Sequence, residues 1–318
     1  MRPDSALLRL DAANQRVLAG DLERSLTLTQ KIAQYPYYGF VEIRIPGALP
    51  FLMFSNNDDI VAQHFLYDER PGFETASLRL WVALARRAHG VFDVGAFTGI
   101  YALAACSANP HVSVWAFEPS GNTYNRFVTN IWVNQYDRSV APLQLALGDR
   151  AMKTTIRHPF GIYVLGSGES LMASVVMNPW YEEEAEVLAA DALEAERQKA
   201  PRRFIIDRPI AEVNLVKLDV EGFEPNVLDG MRALRAAHSP SMIIECLTLN
   251  AFEQVRSRVE ADYQHWFIDD DALELHRDVE RFARSGHRNV LFVHPSRVDL
   301  KAVCEAAGLF VSRAGRPG

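Results

Sequence analysis

The sequence has few cysteines, and none of them is in a metal-binding arrangement. Cys106, Cys246 and Cys304 lie far apart in a chain of 318 residues. An odd number of widely separated cysteines, without a Cys-x-x-Cys pair, argues against a disulfide framework and a structural zinc site. We therefore expect a reduced, intracellular chain stabilised by a hydrophobic core, for which a hydrophobic content of 48% is sufficient.

The sequence also lacks long apolar runs and an excess of basic charge. No stretch approaches the ~20 apolar residues of a membrane span. The first segment, MRPDSALLRLDAANQR, has no continuous apolar stretch of the kind found in signal peptides. The formal net charge of −7 disfavours a broad nucleic-acid interface, which needs a basic face. We expect a cytoplasmic protein that binds neither membrane nor nucleic acid.

Strands and helices alternate in the second part of the chain. Helical segments separate five strand-like segments: GVFDV, VSVWAFEP, VAPLQLALGD, NLVKLDVEG and SMIIECL. This alternation predicts an α/β fold with a parallel, doubly wound sheet. Two later segments, HWFIDDDALELH (265–276) and NVLFVHPS (289–296), are expected to add antiparallel strands near the C-terminus.

Residues 1–72 are predicted to form an extension ahead of the main domain, which would span 73–318. Apolar residues at helical spacing in 5–34 indicate one or two amphipathic helices. YGFVEIRI and PFLMFS then indicate a strand pair joined by a turn. NNDDIVAQHF opens a further helix, with Asn57 or Asp58 as its expected N-cap.

The interval 151–212 is too long to be a plain connection and is predicted to be an insertion. Within it, the segment EEEAEVLAADALEAERQKA favours a helix by propensity. The insertion could form a wall over a binding site, and a surface excursion is an equally good interpretation.

A glycine-containing turn follows the first alternating strand. In VFDVGAFTG (91–99), Gly95 suits a tight turn that leaves no room for a side chain, and Gly99 would let the next helix pack against the strand. The amides of that helix face the crevice beyond the strand ends. The turn lacks the middle glycine of the dinucleotide motif and has Phe97 in that region. A pyrophosphate, which needs close approach to the backbone, is therefore disfavoured. We expect this turn, including Ala96, to bind a cofactor.

Acidic residues at the strand ends indicate the kind of cofactor. Asp93 would repel a phosphate but attract a cationic group, and Glu118 could accept hydrogen bonds from both hydroxyls of a ribose. A ribose beside a cation, without a phosphate chain, fits S-adenosylmethionine. Asp149 could accept from the adenine amine, and Glu74 could cover the methionine end. For these two residues, a turn aspartate and a helix N-terminal acid are equally good interpretations.

The segment LVKLDVEGFEP (215–225) concentrates charge at the end of the fourth strand. Asp219 and Glu221 are the candidate catalytic residues, since either could take the proton of an acceptor hydroxyl. Asp219 and Glu245, at the ends of neighbouring strands, could instead hold a magnesium ion with Glu221, which is the less favoured alternative. Glu224 is expected to stabilise the N-terminus of the next helix.

Three further polar side chains have a structural and a functional interpretation. Lys217 shares a side of its strand with Asp219 and is expected to neutralise it. His294 could act as a base at the mouth of the site, although a loop histidine is favoured. Tyr101, at helical spacing, is expected in the core.

Three of these segments resemble the FkbM-type S-adenosylmethionine-dependent methyltransferases. They are FDVGAFTGIYALAA, AFEPSGNTYNRFVTNIWVNQ and VKLDVEGFEPNVLDGM. The resemblance extends over roughly residues 50 to 295, and the run DVEGFEPNVL is its most specific part.

The resemblance implies a Rossmann-like sheet and methyl transfer to a hydroxyl oxygen, often on a sugar or a natural product. Carried over by position, Asp93, Gly95 and Gly99 would hold the amino-acid end of the cofactor, and Glu118 its ribose. The resemblance also implies a short strand and helix before the fourth strand, against the helical propensity noted above. This chain departs from the family at Cys246, near which the family often has a histidine, so any base at that point is in doubt.

Several functions remain open from the sequence. We favour O-methylation of a small hydroxylated metabolite, sugar or natural product, with a homo-oligomer compatible with the sequence. N-methylation of nucleic acid is weakened by the acidic charge and by the absence of an Asp-Pro-Pro-Tyr-like run after the fourth strand. An NAD-dependent oxidoreductase is weakened by the missing middle glycine. A non-catalytic module would keep the cofactor crevice without chemistry.

Overall fold

The alternating strands and helices build a nine-stranded, a three-stranded and a two-stranded sheet within the described part of the chain. The computed structural model describes residues 6–67, 73–158, 165, 181–200, 209–210 and 212–312. The helices are α1 Ala6–Leu18, α2 Leu28–Gln34, α3 Ile60–Tyr67, α4 Thr75–Ala85, α5 Ile100–Ala108, α6 Gly121–Val133, α7 Leu193–Lys199, α8 Glu224–Asp229, α9 Arg232–His238, α10 Leu249–Arg256, α11 Val279–Arg284 and α12 Leu300–Ala307. The strands are β1 Tyr38–Ile43, β2 Phe51–Asn56, β3 Gly90–Val94, β4 Ser113–Phe117, β5 Val140–Leu143, β6 Ala146–Gly148, β7 Met152–His158, β8 Tyr181–Ala189, β9 Leu215–Leu218, β10 Ser241–Glu245, β11 Gln264–Asp269, β12 Glu274–His276, β13 Asn289–Val293 and β14 Phe310–Val311. None of the described helices combines the length and the apolar character needed to span a membrane.

The nine-stranded sheet is parallel at its centre. Its order is β14-β12-β11-β13-β10-β9-β3-β4-β5. The five strands from β10 to β5 are parallel, and β13 lies antiparallel between β10 and β11. Every residue of β3 and β9 is buried, as expected for strands covered on both faces. The prediction of a Rossmann-like, mostly parallel sheet with an antiparallel C-terminal strand is confirmed.

The strand order reverses at β3, and this reversal locates the candidate site. The chain proceeds outward from β3 through β4 and β5, and then returns to place β9 and β10 on the other side of β3. In open α/β sheets, ligands bind beyond the carboxyl ends of the strands at such a switch point. The carboxyl ends of β3, β4, β9 and β10 are therefore the place to look for a site.

The predicted third strand, VAPLQLALGD, is two strands that belong to different sheets. β5 ends the parallel part of the large sheet, whereas β6 pairs with β8 in the three-stranded sheet β6-β8-β7. The amide of Leu145 donates to the carbonyl of Leu143, a turn that a continuous strand cannot contain. Before Gly148 the segment is apolar apart from Gln144, so the sequence gives little sign of this change of sheet.

The segment predicted to be helical by propensity, 182–200, is a strand followed by a helix. β8 covers Tyr181–Ala189, a short 3-10 turn covers Ala190–Ala192, and α7 follows. The strand and helix implied by the family resemblance are therefore correct, and the propensity-based prediction is wrong for β8 but right for α7. Ala185 and Val187 are buried while Glu184 and Glu186 are not, so packing on one face overrides the helical propensity of glutamate.

The helix predicted after β9 is interrupted and forms α8 and α9. A Cβ atom at Gly230, between the two helices, would lie 1.8 Å from the carbonyl oxygen of Gly148 at the end of β6. So close an approach of two backbones requires a glycine. The interruption therefore follows from the packing of α8 against β6.

The N-terminal part contains the helices and the antiparallel strand pair that the sequence predicts. Oδ1 of Asp59 accepts hydrogen bonds from the amides of Val61 and Ala62 and so caps α3. The predicted N-cap at Asn57 or Asp58 is therefore wrong by one or two residues.

Two asparagines of α6 hold the strand pair against the main domain. The side-chain amide of Asn134 accepts a hydrogen bond from the amide of Leu52 and donates one to its carbonyl, at 2.8 and 2.7 Å. Asn130 accepts from the amide of Phe54 and donates to the carbonyl of Thr98 in the glycine turn. Residues of β1 and β2 also share a hydrophobic cluster with α4 and α5. The division at residue 72 remains a prediction.

Candidate functional site

A cavity of about 300 Å³ opens at the carboxyl ends of β3, β4, β9 and β10. Its walls combine the turns that follow these strands, the three-stranded sheet and the segments around α3 and α4. Ten of the residues singled out from the sequence line it: Glu74, Gly95, Ala96, Phe97, Tyr101, Glu118, Lys217, Asp219, Glu221 and Glu245. The fold thus brings together residues that lie far apart in sequence. Glu74 and Glu245, which line the same cavity, are 171 positions apart.

The glycine turn is shaped by close backbone contacts. Gly95 has a φ of +78°, and a Cβ atom there would lie 1.7 Å from the carbonyl oxygen of Asp219. Gly99 has a φ of +99°, and its Cβ atom would lie 2.2 Å from the ring of Phe127 in α6. Gly99 therefore permits close packing against α6. From the sequence, we expected it to permit close packing of the next helix against the strand. Phe97 also has a positive φ, of 52°.

The carboxylate of Glu118 is fixed by two main-chain amides. Its Oε2 accepts from the amide of Phe97 at 2.9 Å, and its Oε1 accepts from the amide of Ser120 at 2.8 Å. Glu118 is nearly buried yet lines the cavity. The glycine turn and the start of α6 therefore hold this carboxylate in place at the cavity.

Asp93, by contrast, lies beneath the turn and outside the cavity lining. It is 1% exposed, and its Oδ2 accepts from the amide of Ala102 in the first turn of α5 at 2.8 Å. Burial raises the pKa of Asp93 to about 7. This placement differs from the expected contact with the cofactor, and it makes Asp93 a support for α5 and the turn.

The wall next to Glu118 is apolar. Phe117, Ala146, Leu147 and Ile156 line it. Asp149, expected beside an adenine, lies outside the lining and pairs with Arg150 at 2.8 Å. The difference arises because the chain changes sheet before β6, which leaves Leu147 at the cavity and turns Asp149 away from it.

The opposite end of the cavity carries three carboxyl groups. Oxygen atoms of Asp219, Glu221 and Glu245 all lie within 4.8 Å of one another. Glu221 has a φ of +52°, which is uncommon for a residue with a side chain. Burial, and then the like charge of Asp219, raises the pKa of Glu245 to about 10. Glu245 is therefore protonated at neutral pH in this structure.

Lys217 neutralises this cluster from below. Its Nζ donates to Oδ2 of Asp219 at 2.9 Å and to Oδ1 of Asn289 at 3.0 Å, and lies 4.9 Å from the centre of the Tyr101 ring. Although burial favours the neutral amine, the carboxylates of Asp219 and Glu74 outweigh it and raise the pKa of Lys217. The sequence-based interpretation of Lys217 as a neutralising charge agrees with these contacts.

Glu74 reaches the cavity as a partner of Tyr101. The hydroxyl of Tyr101 donates to Oε2 of Glu74, and both residues line the cavity. Glu74 makes no side-chain capping bond with α4; Asp270 accepts from the amide of Ser77 there instead. Burial raises the pKa of Glu74. Glu74 therefore occupies the N-cap position of α4, as the helix N-terminal alternative expects, but its side chain bonds to Tyr101 and not to the helix. Tyr101 belongs to the site as well as to the core.

Glu224 and His294 lie outside the cavity lining. The buried carboxylate of Glu224 accepts from the amides of Val220 and Gly222, both at 3.1 Å. Besides the expected stabilisation of the helix N-terminus, Glu224 therefore fixes the shape of the loop after β9. His294 pairs with Asp262 at 2.9 Å. Because β13 is antiparallel, its C-terminal end lies at the opposite edge of the sheet from the cavity.

Residues 93–287 match the sequence profile of the methyltransferase FkbM domain. The match covers more than half of the chain and contains the glycine turn, Glu118 and the three clustered carboxyl groups. The chain belongs to the FkbM methyltransferase family. A comparison with curated protein sequences finds no match.

Solved methyltransferase structures resemble this FkbM family member at low sequence identity. A methyltransferase FkbM from Methylobacillus flagellatus KT has 18% identity and a TM-score of 0.40; the alignment covers 73% of this chain and only 52% of that one. An O-methyltransferase from Bacillus cereus, in complex with SAH, has 10% identity and a TM-score of 0.39 over 71% of this chain and 81% of its own. The O-methyltransferase TomG from Streptomyces achromogenes, in complex with SAM, has 11% identity and a TM-score of 0.38 over 91% and 99%.

Several cavity residues lie outside the FkbM match. They are Ile60, Val61, His64, Phe73, Glu74 and Arg288. Sequence reasoning missed all of them except Glu74. Arg288 carried one usable signal: it precedes an apolar strand that was expected to be antiparallel, and the start of such a strand meets the carboxyl ends of its parallel neighbours.

Proposed function

We propose that this FkbM family member transfers a methyl group from S-adenosylmethionine to a hydroxyl oxygen of a small acceptor, such as a sugar, another metabolite or a natural product. The observation that carries the proposal is a single cavity with the glycine turn and Glu118 at one end and Asp219 at the other. Membership of the family supports the methyltransferase class. The carboxylates support an oxygen acceptor, because they can take the proton that a hydroxyl loses.

The cofactor end is suited to an adenosyl group that carries a positive charge. Glu118 would accept from the ribose hydroxyls, and Leu147 and Ile156 would cover the adenine. Glu74 provides negative charge for the sulfonium and the ammonium group. When bound, S-adenosylmethionine supplies the methyl group, and its carbon–sulfur bond breaks as the carbon–oxygen bond forms, with the electron pair staying on sulfur.

Asp219 is the proposed acceptor of the hydroxyl proton. Asp219 is bonded to the ammonium of Lys217, whereas burial and the like charge of Asp219 raise the pKa of Glu245, which makes Glu245 the weaker candidate for the base. Glu221 lies close enough to orient the acceptor hydroxyl and is the second candidate. Holding the acceptor in line with the methyl carbon would supply much of the remaining acceleration.

We also propose that the reaction needs no metal ion. Three carboxyl groups form a donor set that suits magnesium, but the ammonium of Lys217 lies 2.9 Å from Asp219 and would repel a divalent cation. Glu245 would also have to lose its proton. Activity should survive exhaustive EDTA treatment; loss of activity that magnesium restores would overturn this part of the proposal.

Calorimetric titration tests the cofactor. S-adenosylhomocysteine should bind to the wild-type protein, and NAD should not. Tight binding of NAD without binding of S-adenosylhomocysteine would overturn the proposal.

The variant Asp219→Asn tests the role of the proposed base. We expect kcat to fall roughly 100-fold or more, because positioned bases contribute about 10²–10⁴-fold, while the Kd of S-adenosylhomocysteine changes less than about threefold. Turnover would be followed as S-adenosylhomocysteine release with a set of hydroxylated compounds. The matched control is Asp271→Asn, whose side chain is 97% exposed. Equal turnover in the two variants would remove Asp219 from the mechanism.

A further inference from the structure

Arg288 stands out among the charged residues of the cavity because its charge has no partner. The other cation at this end, Lys217, is bonded to Asp219 and Asn289. Within the part of the chain that the structure describes, the guanidinium of Arg288 makes neither a hydrogen bond nor an ion pair, although it lines the same cavity as Glu221 and Glu245. A cation left unpaired beside carboxyl groups is available for a ligand.

The main chain fixes the position of Arg288. Its carbonyl accepts from the amide of Cys246 at 2.8 Å, and the next residue, Asn289, is 2% exposed and bonded to Lys217. Arg288 is therefore anchored at the start of β13, next to the end of β10. Arg288 itself is exposed.

The sheet order places Arg288 far from the ribose end of the cavity. Glu118 follows β4, and four strand spacings of about 4.8 Å separate β4 from β13, roughly 19 Å in all. The proposed cofactor runs from Glu118 across β3 to Asp219 after β9. Arg288 lies two strands beyond β9, on the side where the acceptor must enter.

The charge balance at this end also favours an anionic ligand. Lys217 balances Asp219, and Glu245 is neutral when protonated. The guanidinium of Arg288 is a further cation at this end that no described carboxylate pairs with. An acceptor with an acidic group would be repelled by the carboxylates of the cavity, and Arg288 offsets that repulsion through paired N–H donors that match a carboxylate or a phosphate.

We propose that Arg288 binds an anionic group, a carboxylate or a phosphate, on the methyl acceptor, which makes the acceptor a hydroxylated acid. This inference rests on the proposed function and narrows its substrate class. Arg288 holds the acidic group while Asp219 faces the hydroxyl, so that the acceptor is fixed at two points.

The test compares matched acidic and neutral probes in the presence of saturating S-adenosylhomocysteine. The carboxylate arm uses 3,4-dihydroxybenzoate against catechol, and the phosphate arm uses glucose 6-phosphate against glucose. Calorimetry should show millimolar or tighter binding of at least one acid and weaker binding of its neutral partner. Arg288→Gln should weaken the acid roughly 10- to 100-fold, as expected for a charged hydrogen-bonded pair, and Arg288→Lys should restore part of the loss.

The control variant is Arg297→Gln, which makes the same change of charge beyond the opposite end of β13. It should leave the binding of every probe unchanged. Neutral probes that bind as well as the acids, or the failure of both acids to bind at millimolar concentration, would overturn the inference. So would a loss of S-adenosylhomocysteine affinity in Arg288→Gln, which would assign Arg288 to the cofactor carboxylate. Failure of the wild-type protein to bind S-adenosylhomocysteine would instead contradict the proposed function itself.

Discussion

The two ends of the cavity are built in different ways. At the end that we assign to the cofactor, Gly95, Phe97 and Glu118 are held by main-chain contacts and lie within the FkbM match. At the acceptor end, Arg288 comes from outside that match, and its guanidinium makes no hydrogen bond or ion pair with any described residue. The comparison suggests a cofactor end of fixed geometry joined to an acceptor end whose chemistry can change without rebuilding the fold.

Gly95→Ala tests the fixed geometry of the cofactor end, and we expect it to have the largest effect. The added Cβ atom would collide with the carbonyl oxygen of Asp219, and the φ of +78° is unfavourable for alanine. We expect the free energy of unfolding to fall by about 3 kcal/mol or more, with loss of S-adenosylhomocysteine binding. Urea unfolding and calorimetry would measure both. Gly286→Ala, where a Cβ atom meets open space, should be nearly neutral; similar losses in both variants would contradict a special role for Gly95.

A smaller effect, confined to the cofactor end, is expected from Glu118→Gln. The substitution keeps the shape but removes the charge that strengthens hydrogen bonds from ribose hydroxyls. The Kd of S-adenosylhomocysteine, measured by calorimetry, should rise about tenfold. Asp149→Asn should change this Kd less than about twofold, because Asp149 lies outside the cavity lining and pairs with Arg150. A larger effect of Asp149→Asn would reverse our assignment of the two acids.

The smallest effect concerns the acceptor end and depends on pH. The pKa of Glu245 is raised to about 10, above the ~4.3 of an unfolded glutamate, so the folded chain keeps a proton that the unfolded chain releases. Its stabilising contribution is therefore complete below pH ~4.3 and is lost as pH rises toward about 10. The free energy of unfolding, measured with urea, should fall between pH 5 and pH 8 more steeply in the wild-type protein than in Glu245→Gln. The difference between the two slopes should be at most about 1.4 kcal/mol per pH unit.

The exposed Glu253 provides the control for this measurement. Glu253→Gln should keep the pH dependence of the wild-type protein. If Glu245→Gln shows that same dependence, then Glu245 is ionised in the folded chain, and the acceptor end carries one more negative charge than we propose.

Much of the cofactor end could be predicted from the sequence because its signals are local. A glycine after a buried strand, and a glutamate after the next strand, keep their meaning wherever the sheet lies. Asp93 belongs to the same local pattern, yet the sequence could not reveal that its side chain turns down toward α5. One strand residue can face the cavity or the core, and only the packing of the neighbouring helix decides between them.

The acceptor end could not be predicted in the same way, because it forms only when distant segments meet. Arg288 follows α11 and has no local pattern that marks a site. The three-stranded sheet shows the same limit, since a turn at Leu145 moves the chain from one sheet to another within a mostly apolar segment that only Gln144 interrupts before Gly148. Asp149 was misplaced for this reason.

The asparagines of α6 have a consequence for how the chain can change in length. Asn130 and Asn134 lie one helical turn apart and satisfy backbone groups of β2 as a neighbouring strand would. An insertion or deletion of a single residue between them would rotate one amide about 100° around the helix axis, away from the strand. The unmatched backbone groups of β2 would then form an open edge, available for pairing with another chain. Length variation is therefore expected in the loops around α6, and the spacing of this pair should stay at one turn.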